Sequence, residues 1–315
     1  MSPSIVNQLV LAFAPMNDIT LVGVDTGGTF TDIVVLERGS GTTVMRHCKV
    51  LSDPSDPSNP IVEGLKRMGL ENRKLQIIHG TTVGTNAVLE GKGARVAYVT
   101  SAGFADVLSL GRQERENVYQ LKQPQTRPPV SRDLCLEVSA RIAADGSLLK
   151  TVSDDELEDL TARIKALKVE SVAVNLLFSF LRPQEEQRIA EKLGEQWFVS
   201  CSSQVLPEVR EYERGMATWL NASVGPVISR YLKKLQTRLP QARIAVMQSA
   251  GTTIAADQAA DQAVRLLLSG PAGGLAAAIN WLARLIKSLP LTASEPISAE
   301  KHWSRKTVKP SFRLS

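Results

Sequence analysis

Val24-Asp25-Thr26-Gly27-Gly28-Thr29-Phe30-Thr31-Asp32 lies between two runs of β-forming residues, Ile19–Asp25 and Phe30–Leu36. A glycine pair leaves backbone amides bare, so an anion can approach them with no Cβ in the way. The flanking threonines add hydroxyl donors. Two carboxylates in such a loop cannot both be simple phosphate ligands, because like charges repel. At least one must face a metal or its waters, or act as a base. No lysine follows the glycines, and a strand rather than a helix comes next, so the stretch is neither Walker A nor GxGxxG. A plain β-hairpin with a Gly-Gly turn and capping threonines is the alternative reading.

Working outward, Gly39-Ser-Gly41 turns the chain into a third run, Thr42–Val50, which predicts an antiparallel start to a sheet. A proline-rich connection over Asp53–Pro60 leads to a predicted helix at Ile61–Met68. Strands are predicted at Leu75–His79, Arg95–Thr100, Ser171–Phe180, Phe198–Cys201 and Arg243–Gln248. Helices are predicted at Gly84–Glu90, Gly103–Leu108, Pro183–Gly194 and Tyr212–Leu239, the last interrupted at Gly225-Pro226. Ser153-Asp-Asp-Glu156 is a capping box ahead of a helical face of Leu157, Leu160, Ile164 and Leu167. The alternation predicts an α/β fold. A last helix is predicted from Gly273-Gly274 through Leu275–Leu289.

Two further clusters stand at element junctions. His79-Gly-Thr-Thr-Val-Gly-Thr-Asn86 offers amides and hydroxyls where a strand gives way to a helix, either as an anion or substrate wall or as an ordinary capped loop. Ser269-Gly-Pro-Ala-Gly-Gly274 precedes an apolar helix, where Gly273 and Gly274 serve either a nucleotide or tight helix packing.

The 315 residues predict about two domains, and 43% apolar with 22% charged residues excludes a disordered or collagen-like chain. The net charge of +5 is confined to one end: residues 281–315 carry seven basic and two acidic side chains, and residues 1–280 carry thirty of each. With an electroneutral body and no RNP or zinc-finger pattern, no nucleic-acid partner is expected. Three scattered cysteines, Cys48, Cys135 and Cys201, form neither a disulfide framework nor a zinc site. Ile5–Phe13 is apolar but lacks the flanks of a signal peptide, and no apolar run approaches a membrane span. The expectation is a cytosolic protein without a membrane partner.

Together the residues resemble the hydantoinase A/5-oxoprolinase family, whose nucleotide fold belongs to the actin–hexokinase–Hsp70-like superfamily. The matching blocks are Gly23–Asp32, His79–Asn86, Gly103-Phe104 with Asp106–Leu108 and Gly111–Gln113, Ser203 with Val205–Glu208 and Arg210–Arg214, Asn221-Ala222, and Ser269–Gly274. The resemblance implies the first lobe of that α/β nucleotide-binding fold plus an incomplete second lobe. It divides the chain into an N-terminal extension (1–18), a hydantoinase/oxoprolinase N-terminal domain (19–206), the start of a hydantoinase A domain (207–280) and a divergent basic tail (281–315).

The implied activity is ATP-dependent hydrolysis of a cyclic amide, 5-oxoproline (in glutathione metabolism) or a hydantoin, in which ATP phosphorylates the amide oxygen so that water can attack the carbon. The implied cofactors are ATP and Mg2+. Asp25, Asp32 and His79 would be catalytic, with Asp25 on the metal. Thr26, Gly27, Gly28, Thr29, Thr31, Gly270, Gly273 and Gly274 would bind the nucleotide, and Thr81, Thr82, Asn86 and Arg112 the substrate. Arg210 and Arg214 are further cationic candidates, with an internal ion-pair network as their alternative. The implied partner is a hydantoinase B-type subunit or a second copy. The family pattern continues past Gly274 with a second Asp-Met-Gly-Gly-Thr-like loop that this sequence lacks, and its Ser-Asn-Gly-Gly-like segment reads Ser249-Ala-Gly-Thr252 here. A truncated chain is therefore expected, with apolar surface exposed at Leu266–Leu268 or Leu275–Ile279. A non-catalytic nucleotide-binding or subunit-interaction module, and a small-molecule kinase of the same superfamily, stay open as other functions.

Overall fold

The runs flanking the glycine pair form β1 (Thr20–Thr26) and β2 (Phe30–Arg38), and the third run forms β3 (Thr43–Leu51), in a computed structural model that describes residues 20–38, 43–113, 119 and 128–269. The expected extension 1–18, the tail 281–315 and the helix predicted at 275–289 lie outside the described residues. α1 (Ser58–Arg67) leads to β4 (Leu75–Thr81) and α2 (Val83–Leu89). Next come β5 (Val96–Ser101), α3 (Val107–Leu110), β6 (Cys135–Val138) and a small hairpin of β7 (Arg141–Ile142) and β8 (Leu148–Lys150). They are followed by α4 (Asp154–Leu167), β9 (Ser171–Asn175), α5 (Gln184–Leu193), β10 (Phe198–Cys201) and α6 (Ser202–Val205). The long α7 (Glu211–Arg238) then returns the chain to β11 (Ala242–Met247) and β12 (Thr253–Ala255).

The strands make a six-stranded sheet, ordered β12-β11-β4-β1-β2-β3, and a four-stranded one, β10-β9-β5-β6. In the first, β1, β2 and β3 pair antiparallel as the sequence predicts, while β4 joins β1, and β11 joins β4, in parallel. The second sheet is parallel throughout and is inserted between β4 and β11. The six-stranded sheet therefore spans the division expected at 206/207: β11 and β12, from beyond it, extend the sheet begun before it.

Alternation along the strands decides which face is buried. Val22, Val24, Ile33, Val35, Leu75 and Ile77 pack against Ile61 and Leu65 of α1 and against Ile228, Leu232 and Leu235 of α7. The second sheet buries Ala97, Val99, Val172 and Val174 under Leu157, Leu160 and Ile164 of α4 and Ile189 and Leu193 of α5. Its other face sets Tyr98 and Ala173 against Leu108 and Ala222, so α7 serves both sheets.

Two expectations are corrected by tertiary packing. α7 runs unbroken through Pro226, where an interruption was predicted. An internal proline costs about 3 kcal/mol, but Val224, Ile228, Leu232 and Leu235 are all almost fully buried, each contributing roughly 1.5–3 kcal/mol. Gly225 is where the Phe198 ring approaches: a Cβ there would stand 2.2 Å from Phe198 Cζ. Likewise Leu266 is buried in the main core and Leu267 is partly buried, so of the stretch Leu266–Leu268 only Leu268 is exposed.

Half of the capping box forms. Ser153 Oγ accepts from the Glu156 amide at 3.2 Å, but the Glu156 carboxylate accepts from the Ser139 amide at 2.6 Å instead of reaching back. β9 stops at Asn175, short of the predicted Phe180, because the Leu176 amide donates to buried Glu186 Oε1 at 2.9 Å rather than to a neighbouring strand.

Candidate functional site

The buried face of the six-stranded sheet leaves the opposite face open across β1 to β4. Register places Asp25 opposite Gly80 of β4 on one side and Asp32 of β2 on the other, and Asp32 opposite Lys49 of β3. A cross-strand row Gly80–Asp25–Asp32–Lys49 thus lies on one face, at the end of the sheet where β1, β4 and β11 finish. Open α/β sheets bind ligands outside the carboxyl ends of their strands, where strand order reverses. Here β1 is that point, parallel to β4 and antiparallel to β2.

The two carboxylates of the row differ. Asp32 is paired on both oxygens, with His47 Nε2 at 3.1 Å from Oδ1 and Lys49 Nζ at 3.4 Å from Oδ2. Asp25 has no hydrogen-bond or ion-pair partner among the described residues. Although Asp25 is open to solvent, the surrounding sheet partly desolvates its carboxyl, and this, followed by the charge of Asp32, pushes its pKa above the ordinary range. An unpaired carboxylate beside a neutralised one is disposed to take a cation.

The glycine turn is clasped from β3. Gly27 donates its amide to the Phe30 carbonyl at 3.0 Å, which closes the turn. Ser52, just past β3, donates its hydroxyl to the Gly27 carbonyl and its amide to the Thr29 carbonyl, each at 2.8 Å. The amides of Gly28 and Thr29 are not consumed by these bonds. Neither glycine has a left-handed φ, and a Cβ on Gly28 would meet nothing within 4 Å, so their value is a bare backbone open to an incoming group. Of the threonines, Thr29 is exposed, while Thr26 and Thr31 are buried and the Thr31 hydroxyl bonds the Ser52 hydroxyl at 3.1 Å. The clasp by Ser52 and the pairing of Lys49 went unread in the sequence. A period of two along Met45, His47, Lys49 and Leu51 was the signal for Lys49, and Ser52, just past the strand, had none.

His79 does not fit the catalytic role expected of it. Because Gly80 shares the face of Asp25, His79 and Thr81 point the other way, and His79 is fully buried, with Nε2 2.6 Å from the Tyr231 hydroxyl of α7. Burial pushes its pKa down to about 4, so at neutral pH it is an uncharged core residue. Thr81 is also buried, its hydroxyl accepting from the Val83 amide at 3.2 Å. Thr82 is spent on structure too, donating its hydroxyl to the Thr26 carbonyl at 3.0 Å and accepting from Asn86 Nδ2 at 3.4 Å. These bonds tie the β4–α2 junction to the end of β1.

Ser269 reaches the same place, its hydroxyl donating to the Thr81 carbonyl at 3.3 Å, and Thr85 Oγ1 accepts from the Leu268 amide at 3.2 Å. Gly270, Gly273 and Gly274 lie outside the described residues. Arg112 is joined not to the carboxylate row but to Glu213, with Nη2 2.6 Å from Oε1. Arg214 is wholly buried and structural: its guanidinium donates to Asn175 Oδ1 (2.9 Å), Ser202 Oγ (3.1 Å) and the carbonyls of Glu208 (3.0 Å) and Leu176 (2.7 Å).

A family model for the hydantoinase/oxoprolinase N-terminal region matches residues 21–197, more than half of the chain, and one for hydantoinase/oxoprolinase matches residues 214–289. The chain is 32% identical over 308 residues to 5-oxoprolinase 1 of Arabidopsis thaliana, covering 85% of this chain and 24% of that protein. It is 28% identical over 269 residues to caprolactamase subunit alpha of Pseudomonas jessenii, covering 80% and 38% of the two. The crystal structure of the ATP-dependent caprolactamase from that organism matches with a TM-score of 0.70 over 83% of this chain and 40% of that one. A nucleotide-free acetone carboxylase structure matches with a TM-score of 0.71 at 22% identity, over 86% and 41%, and shares the fold. The α/β fold of the actin–hexokinase–Hsp70-like class is borne out. The chain spans between 24% and 41% of the length of these relatives.

Proposed function

The chain belongs to the hydantoinase/oxoprolinase family, and from that premise we propose that it forms the first phosphate wall of an enzyme that opens a cyclic amide with ATP. The observation that carries this reading is the row Gly80–Asp25–Asp32–Lys49 beside a glycine turn with two unspent amides. The residues suit a magnesium nucleotide. Gly28 and Thr29 present amides to a phosphate, and Asp25 is the carboxylate free to hold Mg2+. Among the described residues no cluster of three or more His, Cys, Asp or Glu could hold a metal ion. Mg2+ needs none, being bound usually through one or two carboxylates, waters and the phosphates themselves.

When bound, ATP supplies a phosphoryl group that makes the amide carbon open to attack by water. The protein's share of such a transfer is positioning and charge compensation. The Ser52 clasp ties down the Gly27 and Thr29 carbonyls of the turn, Gly80 leaves room beside the Asp25 carboxylate, and Thr82, Asn86 and Ser269 flank the strand ends. The names of the relatives, 5-oxoprolinase and caprolactamase, support a lactam as substrate. A relative named as a subunit supports a partner chain completing the enzyme. We place the reaction in the cytosol, where the free thiols of Cys48, Cys135 and Cys201 persist. Among the described residues no helix is long and apolar enough to cross a membrane.

Thermal melting with and without Mg-ATP, for the wild type and Asp25→Asn, tests the site; ADP release with 5-oxoproline, caprolactam and a hydantoin tests the chemistry. A nucleotide-induced rise that Asp25→Asn abolishes, together with lactam-dependent ADP release, is the expected result. A rise indifferent to Asp25, or none, overturns the reading. A rise without lactam-dependent release favours a nucleotide-binding module.

A further inference from the structure

We propose that Lys49 is the cation that meets the terminal phosphate of the bound nucleotide, an inference that rests on the nucleotide reading above. Nothing in the fold requires Lys49 where it is. Its side chain is about half exposed, on the outermost strand of the sheet, and an exposed ion pair such as Lys49–Asp32 contributes about 0–1 kcal/mol. Its position is nevertheless held. Nζ lies 3.4 Å from Asp32 Oδ2 and 4.9 Å from the centroid of the Phe30 ring, the residue that ends the glycine turn. Three residues further on, Ser52 clasps that turn by both its amide and its hydroxyl.

Charge points the same way. A nucleotide phosphate arriving over Gly28 and Thr29 meets two carboxylates in adjacent strands. A metal on Asp25 offsets one of them, and Lys49 offsets the other. The two partners sit on different oxygens of Asp32, His47 on Oδ1 and Lys49 on Oδ2. Lys49 can therefore swing toward a phosphate while Asp32 keeps a partner. A lysine, with three donors on a flexible four-carbon stem, is suited to that movement, and adjacent strands are only about 4.8 Å apart. Lys49 would then read the phosphate farthest from the nucleoside, distinguishing ATP from ADP.

The test is calorimetric titration of the full chain with Mg-ATP and with Mg-ADP, for the wild type, Lys49→Met and Lys49→Arg. The expected result is a wild type that prefers ATP. Lys49→Met should lose that preference by about tenfold or more, the worth of a charge-assisted hydrogen bond, with ADP affinity within about twofold. Lys49→Arg should restore part of it. Equal affinity of the wild type for both nucleotides, an unchanged ratio in Lys49→Met, or an equal loss of both nucleotides overturns the proposal and leaves the nucleotide site standing. A wild type that binds neither overturns the nucleotide site itself, and the role of Lys49 with it.

Discussion

A Cβ placed on Gly80 would stand 3.3 Å from Asp25 Oδ1, tighter than an ordinary contact. The two residues are in register on parallel strands, so the glycine gives the unpaired carboxylate room to turn toward a cation. Gly80 has no left-handed φ, so alanine fits the backbone. Gly80→Ala is expected to weaken Mg-ATP binding by about tenfold while the melting temperature of the free protein moves by less than about 4 °C. Titration and melting of one preparation check this, and unweakened binding would show that Asp25 does not need the space.

Asp32 acts on Asp25 through its charge. Partial burial is the larger cause of the raised Asp25 pKa and the Asp32 charge the second, so Asp32→Asn removes the second and lets the pKa fall. Metal binding needs Asp25 ionised, and the acid limb of Mg-ATP affinity should therefore move to lower pH in Asp32→Asn. Affinity measured between about pH 4 and pH 7 reads this directly. An acid limb that stays in place or moves up would remove Asp25 as the titrating ligand.

His79 makes stability depend on pH. Its folded pKa of about 4 lies below the ordinary 6.5, so as pH falls through 6.5 the unfolded chain takes up a proton that the folded chain refuses. Stability is fully present above 6.5 and is lost progressively toward pH 4, by about 3 kcal/mol from this group alone. His79→Leu should be less stable at pH 7, since it leaves the Tyr231 hydroxyl without its partner at 2.6 Å, yet show a flatter decline between those pH values. Urea midpoints across the range decide it, and parallel slopes in both proteins would count against a neutral buried histidine.

Arg214 holds the start of α7 to the second sheet through four acceptors arranged around one planar group. Lysine carries its donors at a single point and cannot reach them together. Arg214→Lys is expected to cost about 3–5 kcal/mol, the usual penalty for breaking a buried charged network, while Arg163→Lys, at an exposed pair with Asp159, should cost less than about 1 kcal/mol. Urea unfolding of both variants distinguishes the roles, and equal losses would mean that Arg214 is not the anchor.

Local patterns carried much of this in the sequence. The glycine turn, the antiparallel start of the sheet, the serine cap at Ser153 and the apolar face of α4 each depend on residues within a few positions of one another. Asp25 and Asp32 were legible as a pair because they flank one turn, and their residue types alone require that something compensate their charge.

What the tertiary structure decided is which residues share a face with them. A shift of one residue in the pairing of β4 with β1 would have put His79 beside Asp25; the observed register puts Gly80 there and buries His79 under Tyr231, 152 positions away. Lys49 and Ser52 enter the site across β3, and β11 completes the sheet only after the whole second sheet has been inserted. Composition and periodicity dictate the elements because they act along the chain. Register, and the burial that α7 secures through Pro226, arise between segments far apart in the chain, and there the balance of packing chooses the outcome.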